Sequence, residues 1–172
     1  MSVREIEFVR LTAVPTHVLT SILNEPRNAR HMPLAGERFT DASTAAWVAA
    51  KDEQWDRYGY GPWGVRVDGV TAGWGGFHDE DGLPDLALVL DPSFRGVARS
   101  VARRMLDVGF DDLGFSIVTV ALPRTRSNPN RALARWGFVA DGEATINGIV
   151  FRRFRLEAET WNRVRQERSG DG

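Results

Sequence analysis

Residues 86–104, LALVLDPSFRGVARSVARR, constrain the fold of this chain more than any other segment. The run from Asp85 to Leu90 is a short apolar strand, and Pro92 ends it because proline has no N–H for a ladder. Arg95-Gly96 then opens a helix over 96–109. Val97, Val101, Met105 and Val108 follow helical spacing there, while Arg99, Arg103 and Arg104 take the other faces. Gly109 lies near its end. A helix set directly on the end of an apolar strand calls for a mixed architecture.

The rest of the chain agrees. Residues 5–11 read as a strand with Ile6 and Phe8 on one face, followed by a helix over 16–28. A second helix starts at the N-cap candidates Thr40, Asp41 and Ser43. Its Trp47 and Trp55 fit one apolar stripe, with Lys51 and Asp52 between them. Residues 64–77 alternate with period two around Asp68-Gly69, a hairpin turn. A polar turn over 78–84 then leads into the 85–90 strand. Beyond the helix come a strand at 116–122, a loop at 123–130, and a short helix carrying Leu133 and Trp136 that Gly137 caps. Asn147-Gly148 closes a hairpin between 139–146 and 149–156, and a charged, Gly-rich tail follows residue 166. The expectation is an α/β (α+β) fold around one mixed, mostly antiparallel sheet. It is a single domain over 1–166 with a flexible tail at 167–172.

Composition removes several classes of function. In 172 residues, 22 basic side chains face 23 acidic ones, a net charge of -1, so nothing draws the chain to nucleic acid or an anionic membrane. There is no cysteine for a disulfide, a thiolate metal site or a nucleophile. The three histidines have no metal-ligand spacing. No apolar run approaches a membrane span, and the expected location is the cytoplasm.

Chemistry concentrates at the start of the 96–109 helix. A helix N-terminus offers backbone N–H groups and a positive dipole end, which together suit phosphate. Gly96 permits close approach, and Arg95 and Arg99 add full charges. The plainer alternative is an exposed helix start whose arginines only confer solubility.

Five pieces in this order resemble the GNAT acetyltransferase family, and most closely its RimJ/RimL-type branch of ribosomal-protein N-terminal acetyltransferases. Residues 60–77 (YGPWGVRVDGVTAGWGGF) resemble the family's substrate-presenting hairpin. Residues 85–92 (DLALVLDP) resemble its central strand and the proline after it. Residues 95–100 (RGVARS) stand at its pyrophosphate loop. Residues 135–138 (RWGF) resemble its Lys/Arg-x-Gly-Phe signature, and 156–161 (LEAETW) its Leu, acid, Trp ending. The resemblance implies helices on both faces of the sheet and a central cleft where the strands splay at a bulge. It implies acetyl-CoA as donor, no metal, and direct attack by a primary amine, either a peptide α-amine or a small-molecule amine. Homodimers are common in the family.

The resemblance assigns cofactor contacts to Leu88, Val89 and Leu90 along the pantetheine arm and to Arg95, Gly96, Val97, Ala98, Arg99 and Ser100 at the pyrophosphate. It puts Asp85 where relatives carry a base, although a plain strand-edge carboxylate is the alternative. Ser127 is a candidate proton donor or a helix cap, and Asn128 a candidate cofactor contact. Trp63, His78 and Glu80 are candidate acceptor contacts, the latter two from a loop. There are departures. Ala98 replaces a glycine, Leu133 replaces the family's proton-donating tyrosine, and its Asn-x-x-Ser falls on Arg126 and Pro129. They leave open a degenerate binding or regulatory module with weak or no CoA binding.

Overall fold

The computed structural model describes residues 2–29, 36–124 and 130–171. Seven strands form one sheet: β1 Ile6–Arg10, β2 Pro62–Val67, β3 Val70–Glu80, β4 Leu83–Leu90, β5 Ile117–Pro123, β6 Val139–Ile146 and β7 Ile149–Glu157. Their spatial order is β1-β2-β3-β4-β5-β7-β6. All neighbours are antiparallel except β4 and β5.

The hairpins follow from turn chemistry. Asp68-Gly69, Asp81-Gly82 and Asn147-Gly148 all hold positive φ, between 50° and 84°. That is the requirement of a two-residue turn matched to strand twist. The middle turn corrects the expected loop over 78–84. β3 continues to Glu80 and β4 resumes at Leu83, so His78 and Glu80 stand on a strand.

The described α-helices are α1 Thr16–Leu23, α2 Pro26–Ala29, α3 Asp41–Tyr58, α4 Ala98–Asp107, α5 Asn130–Ala134 and α6 Ala158–Gly170. The helix expected over 16–28 is broken because Pro26 cannot continue it. Thr40 and Ser43 cap α3 reciprocally, with Thr40 Oγ1 accepting the Ser43 N–H at 3.1 Å.

The sheet is covered on both faces, which explains the near-continuous apolar run of β4. On one face Val101, Met105 and Leu106 of α4 pack against Val65, Val67, Phe77 and Val118. On the other, Leu19, Ile22 and Leu23 of α1 and Val48 of α3 enclose Trp74. Leu86, Leu88 and Leu90 turn to the α4 side, and Ala87 and Val89 to the α3 side. The tryptophans of α3 divide likewise and do not form one stripe. Trp47 packs edge-on to Trp74, and Trp55 lies against Trp63.

Two features depart from expectation around α4. A 3-10 turn, Pro92–Val97, precedes it, and a π-turn, Val108–Asp112, ends it. Gly109 falls inside that π-turn because there is no room for a side chain; a Cβ there would stand 2.8 Å from Phe77 Cζ. The second feature is α6, which runs to Gly170, past the point where the sequence reads as a loose tail. Its Trp161 is 1% exposed, meets Trp136 edge-on and donates from Nε1 to Asp107 Oδ1 at 3.0 Å. Arg165 reaches Asp107 at 3.0 Å and Asp111 at 2.7 Å. α6 therefore fastens the end of α4.

Candidate active site

The sheet opens at its centre. β4 and β5 meet at a single parallel pair, Asp85 and Thr119. β5 is then taken up by β7 along its whole length, while β4 remains fully paired only with β3. The backbone of Leu88, Val89 and Leu90 therefore has no ladder partner on its β5 side, where the cleft was expected. The expected bulge is not present: β4 keeps one unbroken register with β3 from Leu83 to Leu90. The splay comes from divergence of β5 alone.

Asp85 stands at the apex of this opening. It is 3% exposed, and Thr119 Oγ1 donates to its Oδ1 at 2.6 Å. Burial is the main influence on the carboxyl and raises it to about 7; the Thr119 hydrogen bond pulls the other way, and the charge of Glu80 adds to the rise.

His78 is the cross-strand partner of Asp85. Its Nε2 lies 3.4 Å from Asp85 Oδ2 and 3.5 Å from Glu80 Oε2. These contacts are not ion pairs at neutral pH. Burial, and then the charge of Lys51, lower the imidazole to about 4, so it is neutral there. The three side chains expected as base and acceptor contacts are thus brought together, on the α3 face. An open cavity of about 520 Å³ lies beside them between α3 and β3, lined by Lys51, Gln54, Tyr58, His78 and Asp79 among others. Lys51 drew no attention as a site residue from sequence because one lysine on a solvated helix face has no distinguishing pattern.

Trp63 is elsewhere. It is 8% exposed and stacked on Phe8, with Trp55 and Phe77 against its other sides. It packs in the core cluster and does not line the cavity beside His78. Ser127 and Asn128, like His31, lie outside the described residues. Among the described residues no His, Cys, Asp or Glu cluster has the grouping of a metal site.

At the other end of β4, Arg95, Gly96, Arg99 and Ser100 are exposed, and Val97 and Ala98 half-buried. Neither Arg95 nor Arg99 has an acid partner among the described residues. No side chain caps α4, and nothing stands within 4 Å of where a Gly96 Cβ would lie. The helix start is less bare than expected, because the Ala98 N–H bonds the Arg95 carbonyl. Ala98 itself is ordinary helical backbone, φ -55° and ψ -43°, so its methyl brings no strain. The positive helix end, two arginines without acid partners and an open glycine fit a diphosphate.

A family model described as an acetyltransferase (GNAT) domain matches residues 8–139. The chain belongs to the GNAT acetyltransferase family. No curated protein matches the sequence significantly. Among solved structures, this GNAT chain is similar to aminoglycoside acetyltransferase AAC(6')-Ib in complex with coenzyme A, with a TM-score of 0.71 and 15% identity over 95% of this chain and 99% of that one. It is also similar to an acetyltransferase from Agrobacterium tumefaciens (TM-score 0.69, 16% identity, 88% and 90% of the two chains). A GNAT acetyltransferase from Bacillus anthracis gives 0.70 and 14% over 91% and 95%. At such identities the likeness establishes the fold, here the GNAT fold. GNAT acetyltransferases use acetyl-CoA. No described helix is long and apolar enough to cross a membrane.

Proposed function

We propose that this protein transfers acetyl from acetyl-CoA directly to a primary amine, with Asp85 as the base. The observation that carries this reading is the single β4–β5 pair, which sets a buried carboxylate at the apex of the only splay in the described sheet. Arg95 and Arg99, with Gly96 between them, hold the diphosphate at the α4 start. Backbone groups from Leu88 to Leu90 hold the pantetheine arm, and an amide there polarises the thioester carbonyl. Acetyl-CoA supplies the activated acetyl group, whose carbon bonds the amine nitrogen as the carbon–sulfur bond breaks and CoA departs as the thiol.

The remaining work is proton handling and positioning. Asp85 is too enclosed to meet a substrate squarely. His78, whose imidazole is at once near Asp85 and on the cavity wall, passes the amine proton inward. Asp85 holds it, and its value near 7 suits that task at neutral pH. Leu133 offers no acid for the departing thiolate, which takes a proton from water; a thiol near 8.5 needs little help.

The acceptor is either a peptide α-amine, as in the RimJ/RimL-type branch, or a small-molecule amine. The reading extends to a cytoplasmic enzyme, with a homodimer as the assembly that the resemblance favours. The test is thiol release from acetyl-CoA with a panel of amines. Turnover should rise with pH along a limb centred near 7, and Asp85→Asn should lower kcat at least 100-fold and remove that limb. Full activity of Asp85→Asn would refute the assignment.

A further inference from the structure

On the α3 side of the sheet one buried hydrogen-bond donor lacks an acceptor and one half-buried cation lacks an acid partner. Trp74 is 8% exposed, and its indole N–H has no partner. Lys51 is half-buried, and among the described residues its ammonium has no acid partner, only the Trp47 ring 5.9 Å away. A buried donor left without an acceptor is costly, and a desolvated cation without an anion more so. Burial indeed draws the Lys51 ammonium below its ordinary value.

Both side chains line one small inner cavity, about 10 Å³, together with Gln54 and His78. Its floor is the cross-strand pair Gly76 and Ala87, which leaves a gap in side-chain cover between Trp74 and His78. The larger cavity shares Lys51, Gln54 and His78 with it. The acids Glu53, Asp56 and Asp79 and the cation Arg57 also line the larger cavity; Glu53, Asp56 and Arg57 are exposed, where water and salt screen them, and half-buried Asp79 accepts from the Tyr60 hydroxyl at 3.1 Å.

We infer that the two adjoining cavities together bind an amine carrying a carboxylate: the body of the molecule lies in the larger one with its amine at His78, one carboxylate oxygen enters the inner one to accept from Trp74, and Lys51, which lines both, pairs with the carboxylate. The inference rests on the reading of Asp85 and His78 as the proton path. The volume of about 520 Å³ suits a small molecule, and a polycation would place positive charge against Lys51. Lys51 and Trp74 then set acceptor specificity without taking part in the chemistry.

The experiment measures acetylation kinetics with acetyl-CoA and a panel of L-α-amino acids, each matched with its amide, its decarboxylated amine and a tripeptide bearing it N-terminally. Calorimetry of acetyl-CoA binding and thermal melts accompany each variant. At least one free amino acid should exceed its amide and its decarboxylated amine tenfold in kcat/KM. Lys51→Met should raise KM for it tenfold or more with kcat changed less than twofold, and Trp74→Phe should raise KM several-fold. Amides, decarboxylated amines or tripeptides acetylated as well as the acids, by a protein that binds acetyl-CoA, would overturn this inference alone. So would a folded Lys51→Met variant with unchanged KM. Failure of the wild type to bind acetyl-CoA would overturn the underlying reading together with it.

Discussion

Asp85 and His78 are neighbours shifted in opposite directions, and their opposition has a thermodynamic signature. The Asp85 value in the fold, about 7, lies above its ordinary 3.8, so its contribution to stability is complete below that ordinary value and is lost as pH rises through 7. His78, lowered from 6.5 to about 4, contributes stability above 6.5 that is lost as pH falls through 4. Between about pH 4 and 6.5 the two slopes oppose each other. Asp85→Asn removes one and leaves the other, so the variant should gain stability with rising pH across that window while the wild type changes less. Urea midpoints at pH 4.5 and 6.5 measure this, and parallel profiles for the two proteins would contradict it. Asp85 was singled out in the sequence by the resemblance, which puts it where relatives carry a base. The cluster around it was not legible, because an Asp81-Gly82 turn inside a polar stretch hides the length of β3 and with it the facing of His78 and Glu80.

The elements that support the site are fixed by a few packed contacts. Trp161→Ala would remove the largest fully buried side chain and orphan its bond to Asp107, at a cost of about 3–5 kcal/mol. Gly109→Val would push a side chain into Phe77 and Phe115 and cost about 1–3 kcal/mol. Chemical denaturation measures both, and a change below 0.5 kcal/mol in either would contradict this account of the α4–α6 junction. Turn and cap residues made most elements readable beforehand: Thr40 with Ser43, Asp68-Gly69, Asn147-Gly148 and Gly137. At Gly137 φ is 92° and the Phe138 N–H returns to the Leu133 carbonyl at 3.1 Å, as a helix C-cap requires. α6 was harder to see because only Trp161 marks its buried side, and its last turns are charged. The burial of Trp63 was hard to see for the opposite reason, since its Gly and Pro neighbours look like a pocket rim while tertiary packing places it in the core.

At the scale of the molecule, one sheet carries the two proposed half-sites on opposite faces. The α4 face holds the helix start suited to a diphosphate, and the α3 face holds the acid–imidazole cluster beside its cavity. The β4–β5 splay is where the two meet. Gly96 provides a clean probe of this arrangement. It is exposed, has space around it and needs no positive φ, so Gly96→Glu should fold normally while setting a carboxylate against the bound diphosphate. The direct measurement is calorimetric titration with acetyl-CoA of the wild type and of Gly96→Glu. The structure predicts micromolar binding to the wild type and at least 100-fold weaker binding to the variant. No binding by the wild type at millimolar acetyl-CoA, or equal binding by both proteins, would contradict the central claim.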